Sequence, residues 1–147
     1  MKIVLGADHA GYKHKEALKK HLEEQGYEVE DFGTFGEESC DYPDYIYPTA
    51  RAVAADPERI KGFIFGGSGQ GEAMTANRVK GVRATVYYHH DLEIIELSRY
   101  HNDANILSIG ARFVSIGQMK EAADKWLSLN EPIEERHARR IAKIDRS

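Results

Sequence analysis

An apolar run from Ile60 to Phe65 ends in Gly-Gly-Ser-Gly-Gln-Gly-Glu at 66–72, and a breaker-free stretch of good helix formers continues to Val79. Strand, glycine loop and helix in that order constrain a chain strongly. They bring bare backbone N–H groups together at a helix start, where an anion can sit. Four of the six residues from Gly66 to Gly71 are glycine, so no Cβ keeps a ligand away from the backbone. The spacing is G-x-G-x-G from Gly67 to Gly71, neither a dinucleotide fingerprint nor a nucleoside-triphosphate loop. It predicts a small oxyanion or phosphate cradle with Ser68 inside and Glu72 on its lip. The plain alternative is a flexible connection.

The rest of the chain alternates in the same way. Strands are expected at Lys2–Ala7, Glu28–Phe32, Ile60–Phe65, Arg83–Tyr87 and Ile106–Ile109. Helices are expected at Tyr12–Gln25, Tyr45–Ala55, Glu72–Val79 and Leu92–Tyr100. Another follows the capping box of Ser115 and Gln118, and a last one spans Ile133–Asp145 beyond the break at Pro132. This predicts one domain over 1–147: a doubly wound, three-layer α/β/α, Rossmann-like core over 1–131 with a five-stranded, mainly parallel sheet, and a C-terminal helix over 132–147. In such sheets ligands sit beyond the carboxyl ends of the strands, where the winding reverses. If the first strand lies between the second and third, Asp8-His9 and the glycine loop face one crevice.

Two polar clusters remain. Arg99 to Asn105, Arg-Tyr-His-Asn-Asp-Ala-Asn, holds more donors and acceptors than a turn requires. The last helix carries Arg136, Arg139, Arg140 and Lys143 on one face, either a solvated face or a clamp on a phosphate. Its apolar stripe is expected at Ile133, Ala138, Ile141 and Ile144.

A net charge of −4 and no long basic run argue against nucleic acid. No apolar run approaches membrane length, and the N-terminus turns polar too early for a signal peptide, so a cytoplasmic setting is expected. Cys40, the one cysteine, has no base beside it in sequence and reads as a bystander. His14 and His21 read as solvated. His89-His90 has no metal-site spacing, so no metal is expected.

Together and in order, Gly-Ala-Asp-His-Ala-Gly at 6–11, Asp-Tyr-Pro-Asp at 41–44, the 66–72 loop, 99–105, Gly-Ala-Arg at 110–112 and Glu-Arg-His-Ala-Arg-Arg-Ile at 135–141 resemble ribose-5-phosphate isomerases of the B type. Their superfamily includes galactose-6-phosphate isomerase subunits. The resemblance implies a phosphosugar substrate, no cofactor, and a homodimer, or a tetramer built on it, whose sites draw on both chains. It implies that Asp8, His9 and Tyr42 line the sugar site. Ser68 with the backbone of Gly67, Gly69, Gln70 and Gly71 would hold the enediolate oxygens. His101 would open the sugar ring with help from Asn102, and Arg112, Arg136 and Arg140 would bind the phosphate. Some relatives carry a cysteine base where this chain has Gly66. The resemblance is therefore to the branch in which a glutamate, here Glu72, moves the proton. A hexose 6-phosphate isomerase, a non-catalytic sugar-phosphate binder and a flavodoxin-like carrier are the alternatives.

Overall fold

A computed structural model describes residues 1–146. The chain runs β1 (Lys2–Ala7), α1 (Tyr12–Glu24), β2 (Glu28–Asp31), α2 (Pro43–Ala55), β3 (Ile60–Gly66), α3 (Gln70–Ala76), β4 (Ala84–Tyr87), α4 (Leu92–Tyr100), β5 (Ile106–Gly110), α5 (Ile116–Ser128) and α6 (Glu135–Asp145). The strands form one sheet in the order β2-β1-β3-β5-β4, and every pairing is parallel. The expected strands are all present, β1 lies between β2 and β3, and the sheet is parallel throughout.

Alternation along the buried strands sends side chains to two cores. Ile3, Leu5, Phe63, Phe65, Leu107 and Ile109 face α1, α4 and α5, where Leu18, Ile95 and Trp126 meet them. Val4, Ile64 and Ile106 face α2 and α3, meeting Ile46, Ala50, Val53 and Ala76. Trp126 packs edge-on against Phe63 at 5.1 Å and carries the Arg99 guanidinium over its ring at 5.4 Å. Ser115 caps α5 through the reciprocal box with Gln118, an arrangement typically worth about 1 kcal/mol.

Helix boundaries differ where local chemistry intervenes. α2 begins at Pro43, because proline needs no N–H in a first turn, and it continues through Pro48. α3 starts at Gln70 and stops at Ala76. α6 starts at Glu135, and its buried residues are His137 and Ile141, whereas Ala138 and Ile144 are exposed. Two histidines are not simply solvated: His14 Nε2 meets the Val114 carbonyl and His21 Nε2 meets Asp124 Oδ1, each at 2.8 Å. Lys15 is fully buried in α1. It bonds Glu16 (2.7 Å) and Asp31 (2.5 Å), with the rings of Tyr12 and Phe35 each 5.4 Å from its ammonium. Asp31 in turn accepts from the Gly33 amide (2.8 Å), which fixes the root of the 33–42 loop beside the end of β1.

Candidate active site

The chain leaves β3 at Gly66 and enters α3 through Gly69, whose φ of 78° is left-handed and suits glycine. Ser108 Oγ donates to the Gly69 carbonyl at 2.7 Å, and Ser68 Oγ accepts weakly from the Gln70 amide at 3.3 Å. Gly66 gives room to a side chain six residues on. A Cβ at position 66 would overlap the Glu72 carboxylate outright. Gly66 and Glu72 therefore form a matched pair, and a side chain at 66 and the Glu72 carboxylate in this position exclude each other.

Glu72 is buried, 4 % exposed. Burial raises its pKa above the ordinary 4.5. Asp8 raises it further, by like charge and by a carboxyl–carboxyl hydrogen bond, while the backbone N–H of Glu72 opposes both. Burial therefore works against the anion that the helix start would favour. α3 has only seven residues, and desolvation outweighs whatever its dipole supplies. Asp8 is itself buried, bonded by the Gly11 amide at 2.9 Å.

The 33–42 loop closes one side. The Cys40 amide donates to His9 Nδ1 at 3.3 Å and its Sγ lies 3.9 Å from the same nitrogen, so Cys40 does have a base beside it. The hydroxyl of Tyr42 lies 2.8 Å from where a Cβ of Gly71 would stand. On the other side the Arg112 amide donates to the Gly67 carbonyl at 3.0 Å, and its guanidinium lies over Gly67. Asp8, His9, Tyr42, Gly66–Gly71 with Ser68 and Gln70, Glu72 and Arg112 thus gather at the carboxyl end of the sheet. The strand order that this gathering requires, β1 between β2 and β3, is the one observed.

His101, Asn102, Arg136 and Arg140 are not at that end. His101 ends α4, which returns to the amino end of β5, and five-residue β5 puts about 16 Å between the two ends. There Arg83 donates to the carbonyls of Asn102 (3.2 Å) and Asp103 (3.0 Å) and through Nη1 to both carboxylate oxygens of Asp145 (3.0 Å each). Asp103, at φ 44°, also takes Arg99 at 3.0 Å. Asn105 bridges the Arg83 amide and the Gly81 carbonyl. So Arg99, Asp103 and Asn105 build the turn, while His101 and Asn102 stay exposed. Sequence reasoning left His137 without a role. It stacks on His101 with centroids 4.2 Å apart and planes at 23°, and its one-turn spacing from Ile141 was the available signal. A cavity of about 520 Å³ is also at this end, lined by Arg78, Lys80, Asn102 and Ile144 among others.

The frame is a doubly wound parallel sheet with a buried carboxylate beside a glycine loop, and comparison with known proteins places the chain in a family. Residues 3–144 match the family described as Ribose/Galactose Isomerase. Ribose-5-phosphate isomerase B of Escherichia coli K12 is 40 % identical over 86 % of this chain and 83 % of its own. The Clostridium thermocellum ribose-5-phosphate isomerase B structure superposes with a TM-score of 0.92 at 42 % identity, covering 99 % of this chain and 96 % of that one. The Mycoplasma genitalium enzyme, solved with bound ribulose-5-phosphate, gives 0.92 at 33 % identity, covering 99 % and 94 %. The chain belongs to the ribose/galactose isomerase family and is an isomerase of the ribose-5-phosphate isomerase B type. Among the described residues, no helix is long and apolar enough to cross a membrane.

Proposed function

We propose that the chain interconverts ribose 5-phosphate and ribulose 5-phosphate through a cis-enediolate, with Glu72 as the proton carrier. The carrying observation is the buried Glu72 carboxylate in the space over Gly66, beside the Ser68 loop. In the open-chain aldose, Glu72 takes the C2 proton while the C1 carbonyl oxygen gathers negative charge. Ser68 and the amides of Gly67–Gly71 stabilise that oxygen, the O2 hydroxyl proton passes to O1 as the C2 carbonyl forms, and Glu72 returns its proton to C1. Its raised pKa favours this task, since a base nearer the working pH is a stronger one. Asp8, His9 and Tyr42 orient the sugar.

Ring opening falls to His101, assisted by Asn102, and the phosphate to Arg112, Arg136 and Arg140. Four of these residues lie at the wrong end of their own chain, so the site requires a second copy: a homodimer in which each cradle receives His101, Asn102, Arg136 and Arg140 from its partner. The carboxylate and the amide donors together supply the chemistry, so the reaction runs without a metal, in the cytoplasm. The family's description names galactose beside ribose, which keeps a hexose 6-phosphate substrate as the second reading. Turnover of ribose, allose and galactose phosphates side by side, in excess chelator, tests both. Ribose 5-phosphate is expected to have the highest kcat/KM. A hexose phosphate ahead of it, or activity only on adding a divalent ion, would overturn the reading.

A further inference from the structure

Ring opening moves one proton. The anomeric O1–H gives up its hydrogen, C1=O1 forms, the C1–O4 bond breaks and O4 takes a proton. A single imidazole can do this only if its ring is aimed at both oxygens. His101 is poorly held for that work. It ends α4, is exposed, and among the described residues no hydrogen bond reaches its ring. The outer torsion of a histidine is soft, so such a ring swings. Among the described residues, the ring stacked on it is that of His137.

His137 is itself well fixed. It is 7 % exposed, Ile141 buries one turn later, and Arg83 grips Asp145 at the far end of α6. Burial, and then the neighbouring His101, lower its pKa, so the supporting ring stays neutral. We propose that His137 is a positioning residue for ring opening: its imidazole, carried by α6, sets the plane of His101. This rests on the reading that His101 opens the ring, and the test separates the two.

Ribulose 5-phosphate is open-chain by necessity, because the oxygen that would close its five-membered ring carries the phosphate. Rates in the two directions therefore separate ring opening from proton transfer at carbon. His137→Ala is expected to lower kcat on ribose 5-phosphate about tenfold, the scale of a misaimed catalytic group, and to leave ribulose 5-phosphate turnover within about twofold. His137→Phe, which keeps a flat face, is expected to keep both rates. Equal loss in both directions for the Ala variant, no loss at all, or a Phe variant as impaired as the Ala one would each overturn the assignment. His101→Ala is the control. If it shows no difference between directions, the ring-opening reading of His101 fails. If it shows the difference and His137→Ala does not, only the role of His137 fails.

Discussion

At the amino end of β4 and β5, Arg83, Arg99, Asp103, Asn105 and Asp145 satisfy one another through ion pairs and backbone bonds. At the carboxyl end, Asp8 and Glu72 bury two carboxyls side by side, and Ser68 accepts one long bond from its own loop. The first arrangement stabilises the turn and seats α6. The second costs stability, a pattern that is commoner at functional sites than in structural turns. Polar density alone does not distinguish them. What does is whether the groups are opposite in charge and mutually bonded, or alike and short of partners. By this criterion His101 and Asn102 are the residues left over at the amino end.

The largest effect is expected from breaking the carboxyl end. Glu72→Gln keeps the shape and removes the acceptor, so kcat should fall at least ~100-fold in steady-state assays. The same change should raise Tm at neutral pH. The folded-state pKa of Glu72 lies above the ordinary 4.5, so the stability it allows is complete below that value and is lost as pH rises through the folded value. Thermal scans should find the variant ahead of wild type at pH 7 and level with it near pH 4. Near-wild-type turnover would remove Glu72 from its role.

Joining the two ends gives the next effect. Neither Glu72→Gln nor the double variant Arg136→Ala/Arg140→Ala should be active alone. Mixed in equal amounts under subunit exchange, half the dimers are hybrids with one intact site of two, so activity should return to about a quarter of wild type. A mixture that stays dead would mean each chain completes its own site.

The α/β alternation and the glycine cradle were legible because apolar runs and glycine spacing are local properties of the chain. The sorting of residues 99–105 was not. Asn and Asp serve turns and ligands alike, and only the left-handed Asp103 and the bonds of Asn105 tell them apart. The Cys40–His9 contact spans 31 residues and depends on how the 33–42 loop is rooted by Asp31 and Lys15. The buried face of α6 was misjudged for a different reason. Hydrophobic periodicity finds helices that dock through apolar stripes, and this one docks through a stacked imidazole, one isoleucine and an ion pair.

The smallest expected effect has opposite signs at the two ends. Acid should relieve Glu72, whose pKa is raised, and strain the seat of α6, where that of His137 is lowered from 6.5. Burial is the main cause at His137. His101 on α4 and Arg136 and Arg140 on α6 add to it, and Glu134 opposes them. Above pH 6.5 the ring is neutral whether α6 is docked or released, and docking does not depend on pH. Below it, the released ring takes a proton that the docked ring resists, so docking weakens from 6.5 down to the lowered value. One proton limits the change to about tenfold per pH unit, and partial exposure reduces that. Amide hydrogen exchange in α6, corrected for intrinsic rates, should show protection falling roughly two- to fivefold between pH 7 and pH 5.5 in wild type. In His137→Phe the fall should be absent. An equal fall in both proteins would assign the acid response to another group and leave His137 no part in it.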